Sequence, residues 1–128
     1  KYGCYFFCIL HIAEKYFHVK NLDAINIALK CIKLGYIDFD FNDYDSQDNF
    51  YIKNPTGILN VCTGRNFSVC KQPSNYKKQA GDYLIIRYAM KGKVSDGHFV
   101  TEDYDPIQNS QHKKYGVIES FRVFRESK

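Results

Sequence analysis

Residues 4–17 read CYFFCILHIAEKYF, and the spacing of their apolar side chains decides the fold. Phe6, Ile9, Leu10, Ala13 and Phe17 recur at helical intervals as one stripe, which Phe7 and Cys8 widen. A helix apolar around most of its circumference is packed on several sides, so this segment predicts a central helix rather than a surface one. Gly3, just before it, lets the backbone approach at an unusual angle. No apolar run in the chain approaches the ~18 residues that a membrane span needs.

Beyond this helix, residues 23–34 (DAINIALKCIKL) predict a second, amphipathic one, with Ile25, Ala28, Leu29 and Ile32 as its buried stripe. Asn21 or Asp23 can cap its start, and Gly35 stops it. Residues 36–53 alternate Tyr, Ile and Phe with Asp and read as an irregular loop with one short extended piece. Asn54-Pro55 predicts a short helix over 55–62, capped by the Asn and closed near Gly64. The last third changes character. Phe67–Lys71 is a strand candidate, and 72–81 a polar loop containing Pro73. Tyr83–Met90 is a strand by its β-branched and aromatic content. Lys91-Gly92-Lys93 and Ser95-Asp96-Gly97 are turn signals, and His98-Phe99-Val100 opens the next strand. Residues 117–125 (VIESFRVFR) alternate at period two and close the sheet. Helices first and hairpins afterwards predict an α+β fold, an N-terminal central helix packed on an antiparallel β-sheet. The helical part covers about 1–65 and the sheet part about 66–128 of one domain, which suits a chain of 128 residues.

Composition narrows the function classes. Hydrophobic residues make up 45% and charged residues 25%, an ordinary globular balance that argues against disorder. The net charge of +4 is mild and its charges are interspersed, so the chain lacks the basic stripe of a nucleic-acid binder. The clusters are an acidic run (Asp38, Asp40, Asp43, Asp45, Asp48) and short basic pairs (Lys77-Lys78, Lys113-Lys114). Five cysteines at spacings of 4, 23, 31 and 8 form neither a disulfide framework nor a paired zinc pattern. Cys8 and Cys31 fall inside apolar helical runs. Buried free thiols favour a reducing compartment, so a cytoplasmic location is expected. The first residue is Lys1 rather than Met, so residues upstream are expected, and whether a leader peptide was among them stays open.

Cys4 is the sharpest chemical feature. It starts the central helix, where unpaired backbone N–H groups and the positive end of the helix dipole favour thiolate over thiol. The expected effect is a pKa lowered from about 8.5 toward neutrality. The same N–H groups can stabilise an oxyanion. A thiol nucleophile needs an imidazole beside it and a polar group behind that. His11 lies two helical turns from Cys4, about 10 Å along the axis, too far for a direct partner. His18 follows the helix, and His112 sits among Gln and Lys in a predicted loop. His98, held on a strand, is the best candidate base. Asp105 is the candidate orienting acid, with Asp103 in reserve. On one continuous strand His98 and Asp105 would stand about 23 Å apart. They meet only if the chain reverses, for example in a hairpin centred on Thr101 and Glu102.

Gly3-Cys4 opening an apolar helix, Gly97-His98-Phe99-Val100, and Asp105-Pro106 together resemble the papain-like cysteine peptidase fold. The bacteriocin-processing-peptidase-like branch is the nearest in pattern. With Gly35-Tyr36-Ile37 and the Tyr115-Gly116 to Arg125 end, the chain is similar to an uncharacterised family of small bacterial and phage proteins. The resemblance implies Cys4 as nucleophile, His98 as base and Asp105 as orienter. It also implies a peptide or protein substrate, with no cofactor and no metal. Two departures accompany it. The family pattern carries a Gln a few residues before the Cys, where this sequence has Lys1, Tyr2 and Gly3. Small residues usually follow the Cys, where Tyr5-Phe6-Phe7 stand here. The alternative is therefore the same fold acting as a protein- or peptide-binding module without turnover. Cys4, Cys8 and His11 also share one helical face, as three metal ligands would, but no fourth ligand is evident. Substrate specificity is expected in the loops 36–53 and 71–81.

Overall fold

The computed structural model describes residues 3–39, 50–107 and 111–127. Among them the helices are α1 (Gly3–Phe17), α2 (Ala24–Lys33), α3 (Pro55–Thr63) and α4 (Gln111–Tyr115). The strands are β1 (Ile37–Phe39), β2 (Phe50–Ile52), β3 (Phe67–Pro73), β4 (Tyr83–Met90), β5 (Lys93–Thr101) and β6 (Val117–Glu126). The architecture is α+β. A four-stranded antiparallel sheet in the order β3-β6-β4-β5 carries the helices, and β1 and β2 form a separate ribbon.

α1 is the central helix its composition demands. Phe7, expected to widen the apolar stripe, is exposed, while Phe6, Cys8, Ile9, Leu10, Ile12 and Ala13 are all buried. They join Ile58 and Leu59 of α3, Cys31 of α2, Ile37 of β1, and Phe67, Ile85 and Phe124 of the sheet in one core. Each enclosed Ile, Leu or Phe contributes on the order of 1.5–3 kcal/mol, and this shared core fixes where α1 begins. The far face of the sheet carries a smaller cluster of Leu84, Phe121 and Val123, with Tyr76, Ile86 and Ile118 packed on it.

The helix ends follow their capping residues. Asp23 accepts from the N–H of Asn26 at the start of α2. Asn54 accepts from the N–H of Gly57, and Pro55 occupies the first turn of α3. Gly64 closes α3 in a left-handed conformation, φ 71°, that costs glycine little.

Several expectations need correction. α2 is rotated from the predicted stripe: Ile25 and Leu29 are exposed, while Ala24, Ile27, Ala28 and Ile32 pack inward around the wholly buried Cys31. Both stripes share Ala28 and Ile32, and the thiol decides between them by behaving as a small hydrophobe. The segment 36–53 contains two extended pieces, with Ile37 opposite Ile52. Most of the acidic run (Asp40, Asp43, Asp45, Asp48) lies outside the described residues. Strand β3 runs on to Pro73, at a sheet edge where a missing N–H is tolerated. Within the four-stranded sheet, β4 and β5 are the one pair of consecutive strands among the described residues that lie side by side. β6, apolar on both faces, takes a central place between β3 and β4. Ser95-Asp96-Gly97 is not a turn. The partners of β4 jump from Gly97 to Lys93, so residues 94–96 bulge out of the outermost strand. Residues 111–115 are a helix rather than a loop.

Candidate functional site

The site forms where the start of α1 meets β5, one of the two edge strands of the four-stranded sheet. Cys4 stands in the first turn of α1 and is 5% exposed. Its Sγ accepts a hydrogen bond from the backbone N–H of Phe99, at 3.5 Å. This peptide unit is the one that joins Phe99 to His98, so the thiol lies beside the strand position that carries the imidazole.

His98 is 1% exposed, and its Nε2 is 2.6 Å from Asp105 Oδ1. The same oxygen accepts from the Ile107 N–H at 2.9 Å, which fixes the carboxylate. With Nε2 on the acid, Nδ1 is the ring nitrogen left for other work, and it is the one nearer the ring's own backbone. The two residues meet because the chain reverses, as the sequence required. The turn is centred one residue later than expected: the N–H of Thr101 bonds to the carbonyl of Tyr104 at 2.8 Å, with Glu102 and Asp103 between.

The returning segment is held against α1 residue by residue. Asp103 accepts from Lys15 and from Thr101 Oγ1, and lies 3.1 Å from His11 Nε2. Lys15 first, with His11 and Thr101 behind it, holds the Asp103 carboxyl down to about 2. Tyr104 stacks on His11 with ring centroids 4.5 Å apart. Asp103, the reserve acid, is thus engaged by α1, and Asp105 is the carboxylate on His98. Phe7, Leu10, His11, Glu14, Leu22, Ala24 and Tyr104 line a groove beside this seam.

The expected lowering of the Cys4 pKa is overturned. Burial raises it above its ordinary 9.0, outweighing the N–H groups of Phe99, Tyr5 and Cys4 itself, which act to lower it. An enclosed thiol loses the hydration that a thiolate requires, and here that loss exceeds the help from the helix start. Cys8, one turn on and fully buried, is raised further, by burial and then by Cys4 and Asp105. The face shared by Cys4, Cys8 and His11 is divided: Cys8 enters the core, while His11 turns to Asp103 and Tyr104. No group of three metal-ligating side chains occurs among the described residues. Cys62 packs against the core with its thiol pushed up to about 12 by burial, and Cys70 is exposed. All five cysteines are free thiols. No described helix is long and apolar enough to cross a membrane.

Sequence reasoning passed over three neighbours of the site, His112, Arg122 and Arg87. His112, on α4, places its ring 5.7 Å from that of His98. Tyr5 stacks on Phe99, 4.4 Å between centroids, and the Arg122 guanidinium lies 5.5 Å from the same ring. Arg87 lies flat over Gly97. A Cβ there would come within 2.3 Å of its guanidinium, so a larger residue before His98 would make the Arg87 side chain shift. The period-two pattern of β6 could have flagged Arg122, since Phe124 shares its face and enters the core.

No curated protein and no solved structure matches the chain. The family described as "Protein of unknown function, DUF261" matches it over residues 1–126, and the chain belongs to that family.

Proposed function

We propose that the protein is a papain-like thiol hydrolase, a cysteine peptidase that cleaves a peptide or isopeptide bond. The observation that carries this reading is the 2.6 Å contact between buried His98, on β5, and half-buried Asp105, together with the next N–H of that strand reaching the Cys4 sulfur. Asp105 holds Nε2–H and leaves Nδ1 to take the thiol proton. A turn about the Cys4 side chain moves Sγ from the Phe99 N–H toward that nitrogen. The sulfur then attacks the substrate carbonyl while first-turn N–H groups of α1 receive the oxyanion. His98 returns the proton to the leaving amine, and water, deprotonated by His98, releases the acid from the thioester. Because burial raises the Cys4 pKa, proton removal accompanies attack instead of preceding it.

The test is reaction with a peptidyl vinyl sulfone, read by intact mass and peptide mapping. The reading expects one adduct, on Cys4, slowed at least 100-fold by His98→Ala. Adducts spread over the exposed thiols, Cys70 first, contradict it. The second reading is a binding module without turnover. It is favoured by the 5% exposure of Cys4 and by the Tyr5 stack on Phe99 next to it. It expects no Cys4 adduct and a peptide affinity that survives Cys4→Ala.

A further inference from the structure

We infer that Arg122 is the receptor for a carboxylate of the substrate, within about three residues of the bond that Cys4 attacks. The inference rests on the hydrolase reading and names the chemistry of what that site takes.

Arg122 shares a sheet face with Phe124, and therefore with α1 and the core. Its Cζ lies 5.5 Å from the Phe99 ring, against which Tyr5 stacks. The Phe99 N–H is the group bonded to Cys4 Sγ. One phenylalanine side chain thus separates the guanidinium from the sulfur. An extended peptide advances about 3.4 Å per residue, so a side chain two or three residues from the attacked carbonyl reaches Arg122.

The charges around it leave the guanidinium available to an anion. Its Nη1 donates to Ser120 Oγ at 2.7 Å, and that buried hydroxyl donates to Glu119 at 2.6 Å. Ser120 thereby fixes the orientation of Arg122. Glu119 is the nearby acid, and it is taken up by Arg87 at 3.1 Å and Lys71 at 3.8 Å. Among the described residues no carboxylate pairs with Arg122. Three cations face one anion on this patch, and a guanidinium carries five N–H donors in a planar fork suited to a carboxylate. The Phe99 ring, 5.5 Å from Cζ, displaces water on that side of the guanidinium, which strengthens a charged hydrogen bond formed at its edge.

The carboxylate can belong to an acidic side chain or to a peptide C-terminus. One set of probes is peptidyl vinyl sulfones carrying Glu or Gln at each of the three positions before the reactive group. The other is quenched-fluorescent peptides with Glu, Gln or a free C-terminal carboxylate on the leaving side. The inference expects one position at which the carboxylate probe reacts about tenfold faster than its neutral counterpart. That ratio falls to about one in Arg122→Gln and is partly restored in Arg122→Lys. It shrinks with added salt. Equal rates for all pairs, with Cys4 still the labelled residue, overturn the carboxylate receptor and leave the hydrolase standing. A preference that persists in Arg122→Gln overturns the assignment to this residue. Absence of any Cys4 adduct overturns the hydrolase reading itself.

Discussion

Asp82 and Asp105 are two enclosed carboxylates with opposite surroundings. Asp82, just before β4, accepts from Tyr76 Oη, the Gln79 N–H and Arg125 Nε. Burial acts to raise its pKa, but these three donors outweigh it, and the carboxyl ends below its ordinary range. Every partner there is a permanent donor, so the cluster has nothing left to exchange. Asp105 instead spends one oxygen on an imidazole and a backbone N–H, and the backbone N–H that follows that imidazole in the strand reaches a thiol. A saturated acid ties a loop to a sheet. An acid that holds a titratable ring can serve a reaction.

The largest effects should separate the two. Cys4→Ala abolishes turnover of a cleavable peptide, and His98→Ala lowers kcat/KM by about 10³-fold or more. Asp105→Ala lowers it by about 10²-fold, and Asp105→Asn by less, because an amide oxygen still accepts from Nε2–H. Asp82→Ala leaves kcat/KM within about twofold. A comparable loss in the Asp82 variant would erase the distinction between the two carboxylates.

On stability the ranking reverses. Asp82→Ala removes a buried charged acceptor shared by half-buried Tyr76 and exposed Gln79 and Arg125 and costs about 1.5–3 kcal/mol, the range for hydrogen bonds to a charged group, read as a lower urea midpoint. The Asp103 seam responds to acid. Its carboxyl is about 2 in the folded chain against an ordinary 3.8, so its contribution is present above about pH 4. That contribution is lost as pH falls toward 2. Asp103→Asn should flatten this acid limb in a series of thermal melts. Cys4, Cys8 and Cys62 act in the other direction. Their pKa values are raised in the fold, so the stability they supply holds below about pH 9 and fades as pH rises toward 12. The smallest effect is local. Asn54→Ala removes the cap of α3 and costs about 1 kcal/mol without touching turnover.

Much of this was legible in the chain itself. The all-round apolar run of α1, the Asn54-Pro55 start and the Tyr83–Met90 strand each carry their own local signal, and each lies where that signal placed it. The order of Cys4, His98 and Asp105 was legible too, because His98 and Asp105 require a reversal and the intervening residues supply one. Three things were not. Which face of α2 turns inward depends on Cys31, whose burial only the packed neighbours decide. The bulge at 94–96 carries turn residues inside a strand, so composition pointed the wrong way. The Cys4 pKa depends on how completely Tyr5, Phe99 and the core exclude water, which spacing does not encode. Arg122 shows the same limit: Ser120 lies two residues away on its own strand, but Phe99 comes from another.

The most direct test of the central claim is the pH dependence of Cys4 labelling by a peptidyl vinyl sulfone, in the native protein and in His98→Ala. A base that takes the proton during attack gives a native rate near neutral pH far above that of the variant. The variant lacks that help, so its rate rises steeply only as the pH approaches the raised range of the thiol. Identical profiles in the two proteins, both following only the raised thiol, would mean that His98 does not act on Cys4.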